Sequence, residues 1–283
     1  MRQHIAGIDH CFALVRDLDA ASDTYRRLGF TVSPRGTHSA HKGTANHTIM
    51  FERDYFELLG VVTPTPANAI QRGLLAAREG LAAIALRTPN VDAAVGELRA
   101  AGIRLTDPLE FSRPVALPDG RTAAAAFRTS QFPDGAAPGF HLFCCQHRTP
   151  ETTWLPELVQ HENTACGLDH LTVLSATPHA DAEVLGALLD VEPVRETADT
   201  VRVDTGTVAI HFVHPVAFAV RHAGLDPDSL PAQGLAALAV RVRSLDAVHE
   251  TLGAHAVPYT ATPAACTVAP HLACGVVVQF VGR

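Results

Sequence analysis

The sequence predicts an α+β protein made of four β-α-β-β-β units arranged in two pairs. Three observations carry this. "GIDH" at Gly7 recurs as "GLDH" at Gly167, and "GLAAIALRT" at Gly80 returns almost unchanged as "GLAALAVRV" at Gly234. Each start opens an apolar, strand-like run that gives way to a helical one. After each helix come two or three short strand candidates separated by turns. Internal repetition on this scale has to be recognised before any single element is assigned.

The elements follow in order. "RDLDAASDTYRRLGF", "PNVDAAVGELRAAGI" and "RSLDAVHETLGAHAV" place Asp17, Asn90 and Ser244 where a helix wants a side chain that caps its free N–H groups. Leu18, Ala21, Tyr25 and Leu28 fall at helical spacing, with Gly29 after them as a stop signal; Val91, Ala94, Val95, Leu98 and Gly102 repeat the pattern. "NHTIMF" and "YFELLGVV" read as strands joined by "ERD", and "TVRVDT" and "VAIHFVHP" as strands joined around Gly206. Residues 62–79 and 147–166 are the long joints. The second of these is the expected boundary, giving domains over 1–150 and 167–283 with 151–166 as linker. The paired units then run 7–62 with 80–146, and 167–216 with 234–283.

Composition narrows the function classes. The chain has 283 residues, a net charge of −7, 47% hydrophobic and 18% charged residues, with no Lys/Arg cluster. Nucleic acid and anionic membrane surfaces are therefore not expected partners. No apolar run reaches the length of a membrane span, and "MRQHIAGIDH" lacks the apolar stretch of a secretory signal, so a soluble cytoplasmic protein is expected. The six cysteines have no zinc-type spacing and sit in apolar segments, as buried reduced thiols would. A small-molecule substrate is the expected partner, and a homodimer is allowed.

With its four unit starts, the helix pattern "DLDAASDTYRRLGF" and "GTANHTIMFERDYFELLGV" at 43–61, the chain resembles the vicinal oxygen chelate superfamily over nearly its whole length. That superfamily includes glyoxalase I, extradiol dioxygenases and antibiotic-resistance proteins. The resemblance implies two cup-shaped domains, each with four candidate metal-ligand positions on the first and last strands of its units. In the first cup these are His10, Glu57, Ala83 and His141. In the second they are His170, His211, Ala237 and Gln279.

His10, Glu57 and His141 would give two imidazoles and a carboxylate with open positions, a set suited to one divalent ion such as Fe, Zn, Mn, Ni or Co. Glu57 lies within an apolar strand, where a carboxylate is costly unless paired or bound to a cation. Phe56 and Leu58 share one face of that strand, so Glu57 is expected to face the cup. If the last strand slips, His147 or Gln146 replaces His141. Glu57 and His47 are the expected catalytic groups, with Asn46 and His41 near the substrate. The second cup, lacking a carboxylate, is expected to be structural. The resulting expectation is a glyoxalase-like metalloenzyme (lyase, isomerase or hydrolase) acting on a small oxygenated substrate. An Fe(II) extradiol-type dioxygenase and a non-catalytic binding protein stand as alternatives.

Overall fold

The computed structural model describes residues 1–117 and 120–282. Its first half runs β1 (Ile8–Val15), α1 (Leu18–Arg27), β2 (Gly36–Thr37), β3 (Thr44–Met50) and β4 (Tyr55–Val61), then α2 (Ala69–Ala77). The next unit is β5 (Gly80–Arg87), α3 (Val91–Ala100), β6 (Leu109–Ala116), β7 (Thr122–Gln131) and β8 (His141–His147). The second half repeats the plan with β9 (Ala165–Leu174), α4 (Pro178–Leu189), β10 (Val194–Arg195), β11 (Thr200–Asp204) and β12 (Ala209–Val213). After α5 (Pro215–Arg221) come β13 (Gly234–Val242), α6 (Leu245–Ala254), β14 (Thr260–Thr262), β15 (Ala265–Val268) and β16 (Val277–Gly282). The fold is thus α+β, with four β-α-β-β-β units paired into two cups.

Helix starts follow the capping chemistry. Asp17 accepts from the N–H groups of Asp19 and Ala20, Asn90 from those of Asp92 and Ala93, and Ser244 from that of Ala247. The joint over 62–79 contains a helix, α2, none of whose side chains is buried. Ile70 and Leu74 on it remain exposed. Among the described residues no helix is long and apolar enough to cross a membrane.

Each half forms one eight-stranded sheet, ordered β2-β3-β4-β1-β5-β8-β7-β6 and β10-β11-β12-β9-β13-β16-β15-β14. The first strands of the paired units meet antiparallel at the centre, and each lies parallel to the last strand of its own unit. Every central strand carries a bulge at the same place: Asp9 in β1, Ala82 in β5, Asp169 in β9 and Ala236 in β13 each stand outside the pairing. A bulge bends its strand and re-aims the side chains beside it. In the two Asp-His units it brings neighbouring residues, which would otherwise point to opposite faces, into contact.

The outer faces of both sheets share one hydrophobic core with the helices. Tyr25 of α1 donates its hydroxyl to the Ala273 carbonyl, and Phe30 stacks on Phe280 at 5.5 Å between centroids. The halves also clasp each other reciprocally. At the start of β1 the Ile8 N–H donates to Thr207 Oγ1 (3.0 Å), in the β11–β12 turn. In the first half of β9 the Leu168 N–H donates to Asp54 Oδ1 (2.8 Å), in the β3–β4 turn.

Asp54 makes this clasp sensitive to pH. Burial raises its carboxyl to about 6, against the opposing effects of the Leu168 hydrogen bond and of Arg241 and Arg87; the Asp9 charge adds to the rise. A carboxyl raised above its unfolded value binds its proton more tightly when folded. Its contribution is therefore fully present below about pH 4 and is lost as pH rises through about 6. Asp54→Asn keeps an oxygen for Leu168 and removes the charge. It is expected to stabilise the protein at pH 8 by up to about 3 kcal/mol relative to its effect at pH 4. Denaturant midpoints at both pH values check this, and an equal effect at both refutes it.

Candidate active site

The first cup encloses a cavity of about 600 Å³, whose wall includes His10, Phe12 and Leu14 of β1 and Tyr55, Glu57 and Leu59 of β4. This is the ordinary size of a small-molecule site. The alternation of β4 places Phe56 and Leu58 in the shared core and Glu57 in the cup, as its sequence pattern predicts. Glu57 is buried, at 8% exposure.

Two side chains at the centre are held by partners behind them. His10 Nδ1 donates to Asp9 Oδ1 at 2.8 Å, which the bulge makes sterically accessible. This leaves His10 Nε2 directed at Glu57 Oε2, 3.6 Å away. The other Glu57 oxygen, Oε1, accepts from Asn46 Nδ2 at 2.7 Å. The His10 ring is stacked on Tyr55 (4.2 Å between centroids) and meets Phe143 edge-on (5.5 Å). Orientation of both facing atoms is thus fixed by hydrogen bonding and packing.

Asp9 is the hub behind the site. Its side chain is fully buried and also accepts from His147 Nε2 (3.0 Å) and Arg87 Nε (2.9 Å). Burial alone would raise its carboxyl, but the hydrogen bonds from His10 and His147 hold it well below the usual carboxylate range. Asp9, His10 and Cys145 place donor atoms within 4.8 Å of one another, a possible metal-binding trio and the one such group among the described residues. Both Asp9 oxygens are already engaged, however, and burial with the nearby Asp9 and Glu57 charges pushes the Cys145 thiol well up, keeping it a neutral, weak ligand. Hydrogen bonding to His10 is the better account of Asp9.

His141 is displaced from the position expected of it. Cys11 lies opposite Ile84, Phe12 opposite Ala83 and His10 opposite Ala85, so a local two-fold axis through Cys11 and Ile84 exchanges His10 with Ala83. Tyr55 lies beside His10, and His141 beside Ala83. His141 is therefore the counterpart of Tyr55, and the counterpart of Glu57 is Phe143. Among the described residues, the ligand atoms of His10, Glu57 and His141 do not all come within 4.8 Å of one another. His141 lines the cavity and pairs with Gln131 Oε1 at 2.7 Å, while burial lowers its pKa. Hence His10, Glu57 and His141 are not gathered into one ligand set.

The substitutes are engaged as well: His147 with Asp9, and Gln146 with the Val91 N–H and the Pro89 carbonyl. His47 also departs from expectation. It follows Asn46 directly on β3, so it turns to the opposite face and pairs with the Ser33 carbonyl (2.8 Å), outside the cavity. Asn46 and the exposed His41 do line it.

The opposite wall contributes residues that sequence reading did not single out. Phe111 and Phe127 stack at 5.3 Å, and Lys42 and Arg113 enter beside them. Burial lowers the Lys42 pKa, the Glu57 charge opposing it. His38, paired with Thr44 Oγ1, is lowered to about 4 by burial and remains neutral near pH 7.

The second cup keeps its four positions in register. His170 lies beside Ala209 and Ala237 beside Val277, so His211 and Gln279 are counterparts. His170 donates to Asp169 (2.8 Å) and stacks on His211 at 4.7 Å. Burial, then the nearby His170, lowers His211 to about 4. No carboxylate takes the place of Glu57 here.

The donor set of the first cup fits a divalent cation between His10 Nε2 and Glu57 Oε2. Two cis ligands bound at about 2.1 Å lie about 3.0–3.4 Å apart, close to the observed separation. That separation is too long for a hydrogen bond to bridge it directly. Among the described residues no third ligand joins this pair, so a cation held there would complete its coordination with a bound molecule.

Comparison with known proteins agrees with this architecture. The chain is similar over its full extent to a hypothetical protein from Staphylococcus aureus, with 12% identity and a TM-score of 0.69, covering 98% of this chain and 99% of that one. A mutant of 4-hydroxymandelate synthase from Streptomyces coelicolor matches at 14% identity and a TM-score of 0.62, over 99% and 93% of the two chains. A xylose isomerase-like TIM barrel/4-hydroxyphenylpyruvate dioxygenase fusion protein matches at 15% and 0.60, over 99% of this chain and 49% of its own. At such identities the likeness is one of fold. No curated protein matches the sequence. The model of the glyoxalase-like domain matches residues 8–189. The chain therefore belongs to the glyoxalase-like domain family and has the vicinal oxygen chelate fold.

Proposed function

We propose that the first cup is the active site of a glyoxalase-like enzyme acting on a small oxygenated molecule, with one divalent cation held by His10 and Glu57. The observation behind this is the pair itself. Two electron-rich atoms, each oriented by a partner behind it, face each other at 3.6 Å in a buried chamber. No hydrogen bond joins them at that distance, and a cation between them would serve both. Bound there, a cation would polarise an oxygen of the substrate. Asp9 fixes the tautomer that leaves His10 Nε2 free, and Asn46 holds Glu57 so that Oε2 faces inward. Glu57 can also exchange a proton with a carbon or oxygen of the bound molecule, while the aromatic wall excludes water.

The test is metal uptake by the untagged chain loaded in turn with Fe(II), Mn(II), Co(II), Ni(II) and Zn(II), read by mass spectrometry. His10→Ala and Glu57→Ala are expected to lose at least tenfold in affinity for the metal taken up, whereas His141→Ala and His170→Ala retain it. Equal loss in all four variants, or no uptake of any of the five metals, overturns the reading.

Simple ligand binding without turnover is the second reading. The chain is only 6% aromatic, yet Phe12, Tyr55, Phe111, Phe127 and Phe143 all line this one cavity. Concentrated aromatic surface is what a sequestering protein would also use.

A further inference from the structure

Two cations reach into the first cup, and among the described residues neither is in an ion pair. Lys42 precedes β3, and its carbonyl accepts from Asn68 Nδ2 at 2.9 Å, which ties this loop to the segment leading into α2. Its ammonium lies 3.2 Å from the centroid of the Phe111 ring. Arg113 stands two residues beyond Phe111 on β6, on the same face, and also lines the cavity. Its guanidinium extends across to β2, where Gly36 leaves room for it. A Cβ on Gly36 would fall 2.8 Å from Arg113 Nη1 and 2.4 Å from Asn46 Oδ1.

Among the described residues, no carboxylate forms an ion pair with Lys42 or Arg113. The carboxylates facing the cavity are Glu57, engaged with Asn46 and His10, and the exposed Asp134, beside His141. Asn46 Oδ1, on the Arg113 side of its amide, is buried without a partner. Partly desolvated cations are costly unless an anion joins them, and one aromatic face recovers only part of that cost. A planar guanidinium matches the two oxygens of a carboxylate, and the ammonium supplies a second charge.

We infer that the ligand of the first cup is a carboxylate, its anionic group held by Lys42 and Arg113 beside Phe111 and its apolar body lying along Phe12, Phe127 and Phe143. This rests on the reading of the first cup as a small-molecule site and names the substrate class that site takes. Asn46 joins the two functions of the cup. Its amide nitrogen holds Glu57 while its carbonyl adjoins Arg113. The anionic group is thereby placed one side chain away from the reacting carboxylate.

The experiment is calorimetric titration of the full chain, in EDTA so that no bound cation supplies the attraction. The probes are two matched pairs: 3-phenylpropionate with 3-phenylpropanamide, and octanoate with octanamide. At least one acid is expected to bind tenfold or more tightly than its amide, with the advantage shrinking as salt is raised. Lys42→Met and Arg113→Met should each reduce that advantage at least threefold and together abolish it, leaving amide affinity unchanged. Lys42→Arg and Arg113→Lys should retain part of it. Acid and amide binding alike in the native chain overturns the inference, as does an acid advantage that survives the double substitution. Because binding is read at equilibrium, the catalytic reading is tested separately. Glu57→Gln removes a like charge and should leave the acid preference intact or strengthened, even where metal uptake and turnover are lost.

Discussion

Glu57→Gln is expected to lower kcat/KM in the first cup by about 10²–10⁴-fold, the usual worth of a positioned proton-transfer group. The substitution preserves shape, and its amide oxygen can still accept from Asn46 Nδ2, which now donates to Glu57 at 2.7 Å. Stability should accordingly change little, which separates a chemical effect from a folding one. Glu57→Asp shortens the side chain by a methylene and draws the carboxylate away from His10; it is expected to fall between the native chain and Glu57→Gln. Rates over a panel of 2-oxo and 2-hydroxy acids, with thermal midpoints measured in parallel, check both. His170→Ala, in the cup without a carboxylate, should change the rate less than threefold. If Glu57→Gln retained native rates, Glu57 would have no chemical role.

Asp9→Ala is expected to have the largest effect on folding. Its carboxylate is fully buried and joins His10, His147 and Arg87, three groups from β1, β8 and β5. Removing a buried charge while its partners remain costs about 3–5 kcal/mol, because the Arg87 charge and two imidazoles lose their acceptor together. Asp9→Asn keeps one acceptor oxygen but presents an N–H₂ group to at least one of the three donors, so it should recover only part of the loss. Denaturant unfolding of the two variants checks the order. A loss below 1 kcal/mol for Asp9→Ala would show that the hub contributes little.

The four units were legible in the chain because their starts and caps repeat. Asp17, Asn90 and Ser244 cap their helices as polar side chains before apolar periodicity should. The placement of Glu57 followed from two-residue alternation. The same alternation is why β8 was misjudged: "FHLFCCQH" points His141, Phe143, Cys145 and His147 to one face, and pattern alone does not show which lies level with Glu57. Only pairing with β5 decides between positions one pleat apart. Parity could have excluded His47, since it adjoins Asn46 on the same strand. Lys42 and Arg113 come from different units, and nothing local marks them as neighbours. Asp9 did leave a trace, as a charged residue repeated before His10 and His170, but its contact with His10 depends on a bulge that sequence does not display.

The reciprocal clasp gives the second cup a task that needs no chemistry. Thr207 holds the main chain of Ile8, two residues before His10, and so anchors the strand on which His10 and its carboxylate partner Asp9 ride. In a duplicated protein, a copy that lacks the carboxylate of its twin need not decay into ballast. Here it serves as a jig, holding the strand of the first cup that carries His10 in alignment from outside the cavity.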